Sequence, residues 1–295
     1  MATSVKVNHR LLASFRDEPK RILKPIHGYE EEMLLPLKEA CRPLEKILGK
    51  ELRQNIIISS INSIGCNKEL TRCESSSIYL YTMEWSIPEN SLYAVLNRTL
   101  RLSDRKKLRP WFRYLKLFLT AFYKLPPSEY KTVWRGVRED LTALYSRGKE
   151  KTWWSFNSCT SSINVLQSPF YLGNSKTQTI FSIETYSGKF INAHSSFEEE
   201  DEILLLPGTC FKVIDVSYSA QGLHTIHLCE IPSFCPVIVE PFPLRQLNQA
   251  LSRLKTSSPP STSHSSENNQ EYMPQLNTSI SITPKKGRLS NLCTK

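Results

Sequence analysis

Two carboxylates two residues apart, Glu200 and Glu202, close the acidic run Phe197-Glu198-Glu199-Glu200-Asp201-Glu202, which passes directly into Ile203-Leu204-Leu205-Leu206-Pro207-Gly208. In an extended chain, residues i and i+2 point the same way, so the spacing predicts both carboxylates on one side of a cleft. The apolar segment would anchor the strand that carries them, and the pair could act as general acid and base on a rigid support. Acidic runs are more often solvated loops. A solvated loop, however, has no need to deliver its last glutamate onto the first residue of a buried strand.

Two further segments carry chemistry. Val133-Trp134-Arg135-Gly136 puts an arginine near the end of a strand, followed by a glycine that admits a close approach of backbone or ligand. Its planar fork could grip a phosphate or a ribose, and equally it could pair with a surface carboxylate. Phe156-Asn157-Ser158-Cys159-Thr160 alternates so that Ser158 and Thr160 share a face opposite Cys159. Two hydroxyls there could orient a carboxylate or a sugar hydroxyl, or simply end a Ser-rich strand. No G-x-S-x-G elbow accompanies them, so acyl transfer is not indicated. His224 and His227 fall on opposite faces of a strand and are not a metal pair. Phe170 and Tyr171 are candidates for stacking on a ligand or for core packing. The basic run Arg98, Arg101, Arg105, Lys106, Lys107, Arg109, Arg113 and Lys116 reads as a solvated face or, alternatively, as a surface for nucleic acid.

The elements that must position these residues change character along the chain. Up to about residue 125 the pattern is helical. Leu37, Ala40, Cys41, Leu44 and Leu48 recur at helical spacing, Thr71-Arg72-Cys73-Glu74 is a capping box, and Trp111 to Tyr123 predicts a helix stopped by Pro126-Pro127. Strands are expected over Tyr130 to Arg135, Trp153 to Cys159, Thr179 to Glu184, Glu202 to Leu206, Cys210 to Ser217 and Leu223 to Ile231. The fold class expected is α+β, helices first and sheet after. Residues 1–30 read as an N-terminal extension, 31–240 as one catalytic domain, 244–255 as a short amphipathic helix and 256–295 as a disordered Ser/Thr/Pro-rich tail.

With 295 residues, 40% of them hydrophobic, the chain can bury a sizeable core, and its formal charge of +10 suits an anionic ligand such as a dinucleotide, nucleic acid or an acidic surface. The eight cysteines (Cys41, Cys66, Cys73, Cys159, Cys210, Cys229, Cys235 and Cys293) lack paired C-x-x-C spacing, which favours reduced, mostly buried thiols over zinc ligands or a disulfide framework, with the even count leaving disulfides as the alternative. The first twenty residues hold no apolar h-region, and no run of about 18 apolar residues occurs. An intracellular, cytoplasmic protein with no membrane partner is the expectation.

The ordered combination of an arginine in V-W-R-G, S-x-T after an aromatic, and aromatic-x-x-E-x-E before I-L-L-L-P-G closely resembles the arginine-specific mono-ADP-ribosyltransferases of the R-S-E class. The likeness runs from roughly Leu37 to Ile231 and includes Trp134-Arg135-Gly136-Val137-Arg138 and Glu202-Ile203-Leu204. It implies a helical part packed on a two-sheet core whose cleft holds NAD+ as co-substrate, with NADP+ as an alternative and no metal. By that resemblance Arg135, with Gly136, would hold the phosphate and ribose, and Ser158, with Thr160 beside it, would position Glu202 and the ribose. Glu202 would be the catalytic glutamate, contacting the ribose 2′-hydroxyl and stabilising an oxocarbenium-like species as nicotinamide leaves. Glu200 would bind and help deprotonate the acceptor arginine of a partner protein, and Phe197 would be the aromatic of the loop that receives it. Where many relatives carry S-T-S, this chain has Ser158-Cys159-Thr160, which keeps both hydroxyl positions. Hydrolysis of NAD+, or a non-enzymatic basic module that binds nucleic acid, are the alternatives.

Overall fold

Pro43 sets how the first helical segment is built. The apolar spacing from Leu37 to Leu48 predicts one helix, but proline has no N–H to return to the preceding turn. In the computed structural model the segment divides into α1 (Leu37–Cys41), a 3-10 turn (Arg42–Leu44) and α2 (Glu45–Leu48). The structure describes residues 8–12, 18–19, 21–65, 69–129, 131–167, 171–172, 177–218, 222–233 and 236–242. The expected helix over 244–255, the tail over 256–295 and Phe170 lie outside the described residues.

The helices that follow are α3 (Glu51–Asn62), α4 (Arg72–Thr82), α5 (Leu92–Leu100) and α6 (Phe112–Lys124). The capping box is present: Thr71 Oγ1 accepts from Glu74 N at 3.3 Å while Glu74 Oε2 accepts from Thr71 N at 2.9 Å. Helix α6 buries Tyr114, Leu115, Phe118 and Phe122, and stops where Leu125, ahead of Pro126, turns extended (ψ 141°). Tyr81 of α4 packs on Phe118 of α6, with ring centroids 5.1 Å apart.

Among the described residues eight strands follow: β1 (Thr132–Val137), β2 (Glu150–Trp153), β3 (Asn157–Thr160), β4 (Gln178–Glu184), β5 (Lys189–Phe190), β6 (Glu202–Leu205), β7 (Thr209–Ser217) and β8 (Leu223–Ile231), with a one-turn helix α7 (Ile163–Gln167) after β3. Their order is β2-β7-β8-β4-β1-β3-β6-β5, and the pairing is antiparallel except for β4 with β8. Only Trp134↔Thr160 joins β1 to β3, whereas β1 and β4 pair over six positions. The two expected sheets are thus two halves, β2-β7-β8-β4-β1 and β3-β6-β5, hinged on that narrow joint. The strand expected over Trp153 to Cys159 is broken in two, because consecutive side chains belong to different cores. Trp153 enters the sheet core with Phe181 and Phe211, while Trp154 and Phe156 enter the helical core.

Strand β6 sits between these cores and is buried on both faces. Leu204 joins the helical cluster, and Ile203 and Leu205 join the sheet cluster. Alternation therefore puts Glu202 on the same face as Leu204, the face toward the helices, where the end of α4 supplies its surroundings. Because the capping box fixes α4, Thr71→Ala should lower stability by about 1 kcal/mol, a fall of about 2–4 °C in Tm. Thermal unfolding followed by circular dichroism checks this; an unchanged Tm would mean that packing on α6, and not the cap, holds the start of α4.

Candidate active site

Glu202, the first residue of β6, is fully buried and lies opposite Thr160 of β3. Both oxygens of its carboxylate are engaged by an arginine that sequence reasoning did not single out. Arg10 Nε donates to Oε1 at 3.1 Å and Arg10 Nη2 to Oε2 at 2.6 Å. Ser195 Oγ adds a third bond, to Oε2 at 3.1 Å. Arg10 Nη1 donates to the carbonyl of Thr82, the last residue of α4. The guanidinium carbon lies 5.2 Å from the centroid of the Phe197 ring and 5.6 Å from that of Tyr93. Burial pulls the Arg10 pKa down, but the charge of Glu202 and the hydrogen bonds to it outweigh that and the net shift is upward. Phe197, expected on an acceptor-binding loop, is itself 7% exposed and lies against this arginine.

Glu200 reaches the same place by a different route from the one that its spacing suggests. Residues Glu198–Glu200 form a 3-10 turn, and Asp201 follows with φ 47°, in the left-handed region that Asp tolerates better than most residues. The two glutamates are therefore brought together by a tight turn and not by strand alternation. Thr160 holds that turn: its Oγ1 donates to the Glu200 carbonyl at 2.9 Å and accepts from Ser162 N at 3.1 Å. Thr160 thus has a structural task where a ligand contact was expected. Glu198 and Glu199 are exposed, while Glu200 turns inward. Its Oε2 accepts from Asn8 Nδ2 at 2.8 Å, and its Oε1 accepts from the Tyr171 hydroxyl. Tyr171 meets this carboxylate through its hydroxyl, and its ring is buried with Leu11, Leu166, Leu172 and Ile180. Burial raises the Glu200 pKa above the ordinary 4.5, and the hydrogen bonds from Tyr171 and Asn8 oppose this only in part, with the charge of Glu202 adding to the rise.

Arg135 follows Trp134, whose pairing with Thr160 is the one residue pair between β1 and β3. Arg135 is 2% exposed, and its guanidinium donates through Nη1 to the carbonyl of Ser158. Burial lowers its pKa to about 10, with Arg101 adding to the fall. The Ser158 hydroxyl is buried and has no hydrogen-bond partner among the described residues. It was expected to position Glu202, and the serine hydroxyl that donates to Glu202 here is that of Ser195. Gly136 is needed for packing: a Cβ there would stand 3.0 Å from Leu172 Cδ2 and 3.3 Å from its Cγ. Arg10, Glu202 and Arg135 all act electrostatically on the buried Tyr81 hydroxyl, whose pKa is raised by burial. Arg135 Nη1 thus lies at the backbone of Ser158, and Ser158 is two residues from Thr160, which pairs with Glu202, so the three residues sit on the neighbouring strands β1, β3 and β6. A buried cation next to an unsatisfied buried hydroxyl fits a polar anionic ligand such as a dinucleotide.

Other candidates fall away from this region. His227 pairs with Glu184 at 3.0 Å and His224 with Asp140 at 3.8 Å, and among the described residues no group of three or more His, Cys, Asp or Glu could hold a metal. Several of the basic residues read as a nucleic-acid surface are engaged internally. Arg101 Nε bonds Glu18 at 2.7 Å, Arg105 Nη1 the Leu100 carbonyl at 2.6 Å and Lys116 Nζ the Glu30 carbonyl at 2.7 Å. Lys106, Lys107, Arg109 and Arg113 are exposed. A cavity of about 590 Å³ lined by Glu18, Arg21, Tyr145, Lys151, Trp153 and Trp154 contains none of the expected site residues. No helix among the described residues is long and apolar enough to cross a membrane.

Among solved structures the chain is similar to the ADP-ribosyltransferase Vis from Vibrio splendidus in complex with agmatine, with 16% identity over 73% of this chain and 97% of that one and a TM-score of 0.45. It is similar to exoenzyme S from Pseudomonas aeruginosa, in complex with human 14-3-3 protein beta and bound to carba-NAD, with 22% identity, 65% and 88% coverage and a TM-score of 0.46. The ADP-ribosyltransferase HopU1 of Pseudomonas syringae pv. tomato shows 19% identity, 75% and 99% coverage and a TM-score of 0.44. No curated protein matches. The family model for NAD:arginine ADP-ribosyltransferases matches residues 44–235, a stretch that takes in β1 to β8 and α2 to α7. With well over half of its length matched by that model, the chain belongs to the NAD:arginine ADP-ribosyltransferase family and has its α+β fold.

Proposed function

We propose that this protein transfers ADP-ribose from NAD+ to arginine side chains of acceptor proteins. The observation that carries the reading is the pair of inward-turned glutamates, Glu202 fully buried at the head of β6 and Glu200 beside it in a tight turn, with Arg135 and the unpartnered Ser158 hydroxyl on adjacent strands.

In this reading Arg135 and Ser158 hold the phosphate and ribose of NAD+, Gly136 leaves room for the Leu172 side chain beside them, and Glu202 accepts a hydrogen bond from the ribose. Transfer breaks the bond between the ribose anomeric carbon and the nicotinamide nitrogen, and the bonding electron pair leaves with nicotinamide, cancelling its pyridinium charge. Positive charge grows on the ribose, and the Glu202 carboxylate stabilises it where little water competes. A lone pair of the acceptor guanidine then forms the new carbon–nitrogen bond. That nitrogen must lose a proton, because guanidinium is protonated at any physiological pH. Glu200 takes it, as a general base whose affinity for protons is raised by burial. Of the acids in the run, Glu200 suits this role better than Glu199, which is exposed.

Mass spectrometry of an arginine-bearing acceptor, with nicotinamide release measured alongside, tests these assignments. Glu202→Gln should slow nicotinamide release by about 10²-fold or more. Glu200→Gln should reduce arginine modification by about 10²-fold or more while leaving NAD+ cleavage to water. Modified arginine formed at the normal rate by Glu202→Gln, or lost in Glu199→Gln and kept in Glu200→Gln, would contradict the assignment. A base acts only when ionised, so arginine transfer should fall as the pH drops through a value above the 4.5 of an ordinary glutamate, and Glu200→Gln should remove that acidic limb. A limb of the same midpoint in the variant would mean that another group titrates.

A further inference from the structure

Residues Asn8 to Leu12 lie outside the stretch matched by the family model, yet they fill the site. Besides Arg10 on Glu202 and Asn8 on Glu200, the backbone N–H of His9 donates to Glu84 Oε1 at 2.9 Å. Leu11 is fully buried in a small cluster with Leu166, Tyr171, Leu172 and Ile180. The Glu202 carboxylate then has Arg10 on both oxygens and Ser195 on one of them, which leaves little room for a ribose hydroxyl. The geometry points to an intramolecular arm: Asn8–Leu12 occupies the site as a built-in guanidinium ligand, and must withdraw before NAD+ can reach Glu202. This inference rests on the reading of Glu202 as the residue that meets the NAD+ ribose.

The arm matches the chemistry of its seat. An acidic pair suited to an acceptor arginine also suits an arginine supplied by the chain itself, here flanked by the rings of Tyr93 and Phe197. Leu11 gives the arm an apolar anchor independent of the charge. A merely structural Arg10, present to neutralise a buried carboxylate, makes the opposite prediction: its removal would loosen the site and weaken NAD+ binding. An occluding arm lowers the apparent affinity for NAD+ by the fraction of molecules in which it is withdrawn, so weakening the arm should strengthen binding.

The test uses the full chain as wild type, Arg10→Gln and Leu11→Ala, with folding checked by circular dichroism. KM and kcat for NAD+ are read from nicotinamide release, and hydrogen exchange is followed at the amides of residues 9–12. Both variants should lower the KM for NAD+ by about tenfold or more with a much smaller change in kcat. Saturating NAD+ should strip protection from the arm amides of the wild type. If Arg10→Gln does not fold, Leu11→Ala decides, since it leaves Glu202 paired. An unchanged or raised KM in the folded variants, or arm amides that stay protected at saturating NAD+, would overturn the arm and leave the reading of Glu202 standing. Nicotinamide released by none of the three chains, with no NAD+ binding, would overturn both.

Discussion

A carboxylate taken fully out of water needs a cation with it, since the desolvation of each ion costs several kcal/mol even after relaxation. Glu202 is such a carboxylate, and its cation is Arg10, at 2.6 Å across more than 190 residues of sequence. That pairing organises the surroundings of the site. It ties the first described segment to β6, draws in the carbonyl that ends α4, and sets the guanidinium between two aromatic rings. It also explains why the expected residues surround a filled space. On the proposed reading, the same carboxylate later serves the positive charge that develops on a ribose, so one negative group meets two cationic partners in turn.

The fold makes this burial possible by running one strand between two cores. Strand β6 sends Leu204 toward the helices and Ile203 and Leu205 toward the sheet, so the strand that carries Glu202 is clamped from both sides. The other half of the site depends on a weakness in the sheet. Because β1 and β3 share one residue pair, the Ser158 carbonyl is left to accept from the Arg135 guanidinium.

Much of this was legible in the sequence, for identifiable reasons. Strand β8 spans the expected Leu223–Ile231, and the capping box at Thr71 and Glu74 is present, since both depend on neighbours within a few residues. The burial of Ile203 to Leu205 followed from an unbroken apolar run. The geometry of Glu200 was misread because the left-handed Asp201 leaves no mark in the side-chain pattern, and the alternation argument assumed extended backbone through it. Trp153 and Trp154 look alike in sequence, and only tertiary structure assigns them to different cores. Arg10, Asn8 and Ser195 were invisible for a plainer reason. Their importance comes from contacts across the chain, and an arginine followed by two leucines carries no motif.

The most direct test of the account is a crystal structure of the full chain with an NAD+ analogue that cannot release nicotinamide. The nicotinamide-side ribose should lie within hydrogen-bonding distance of Glu202 and of the Ser158 hydroxyl, with Arg135 close to the phosphates and Arg10 displaced from Glu202. A dinucleotide bound elsewhere, or bound there while Arg10 keeps both of its hydrogen bonds to Glu202, would contradict it.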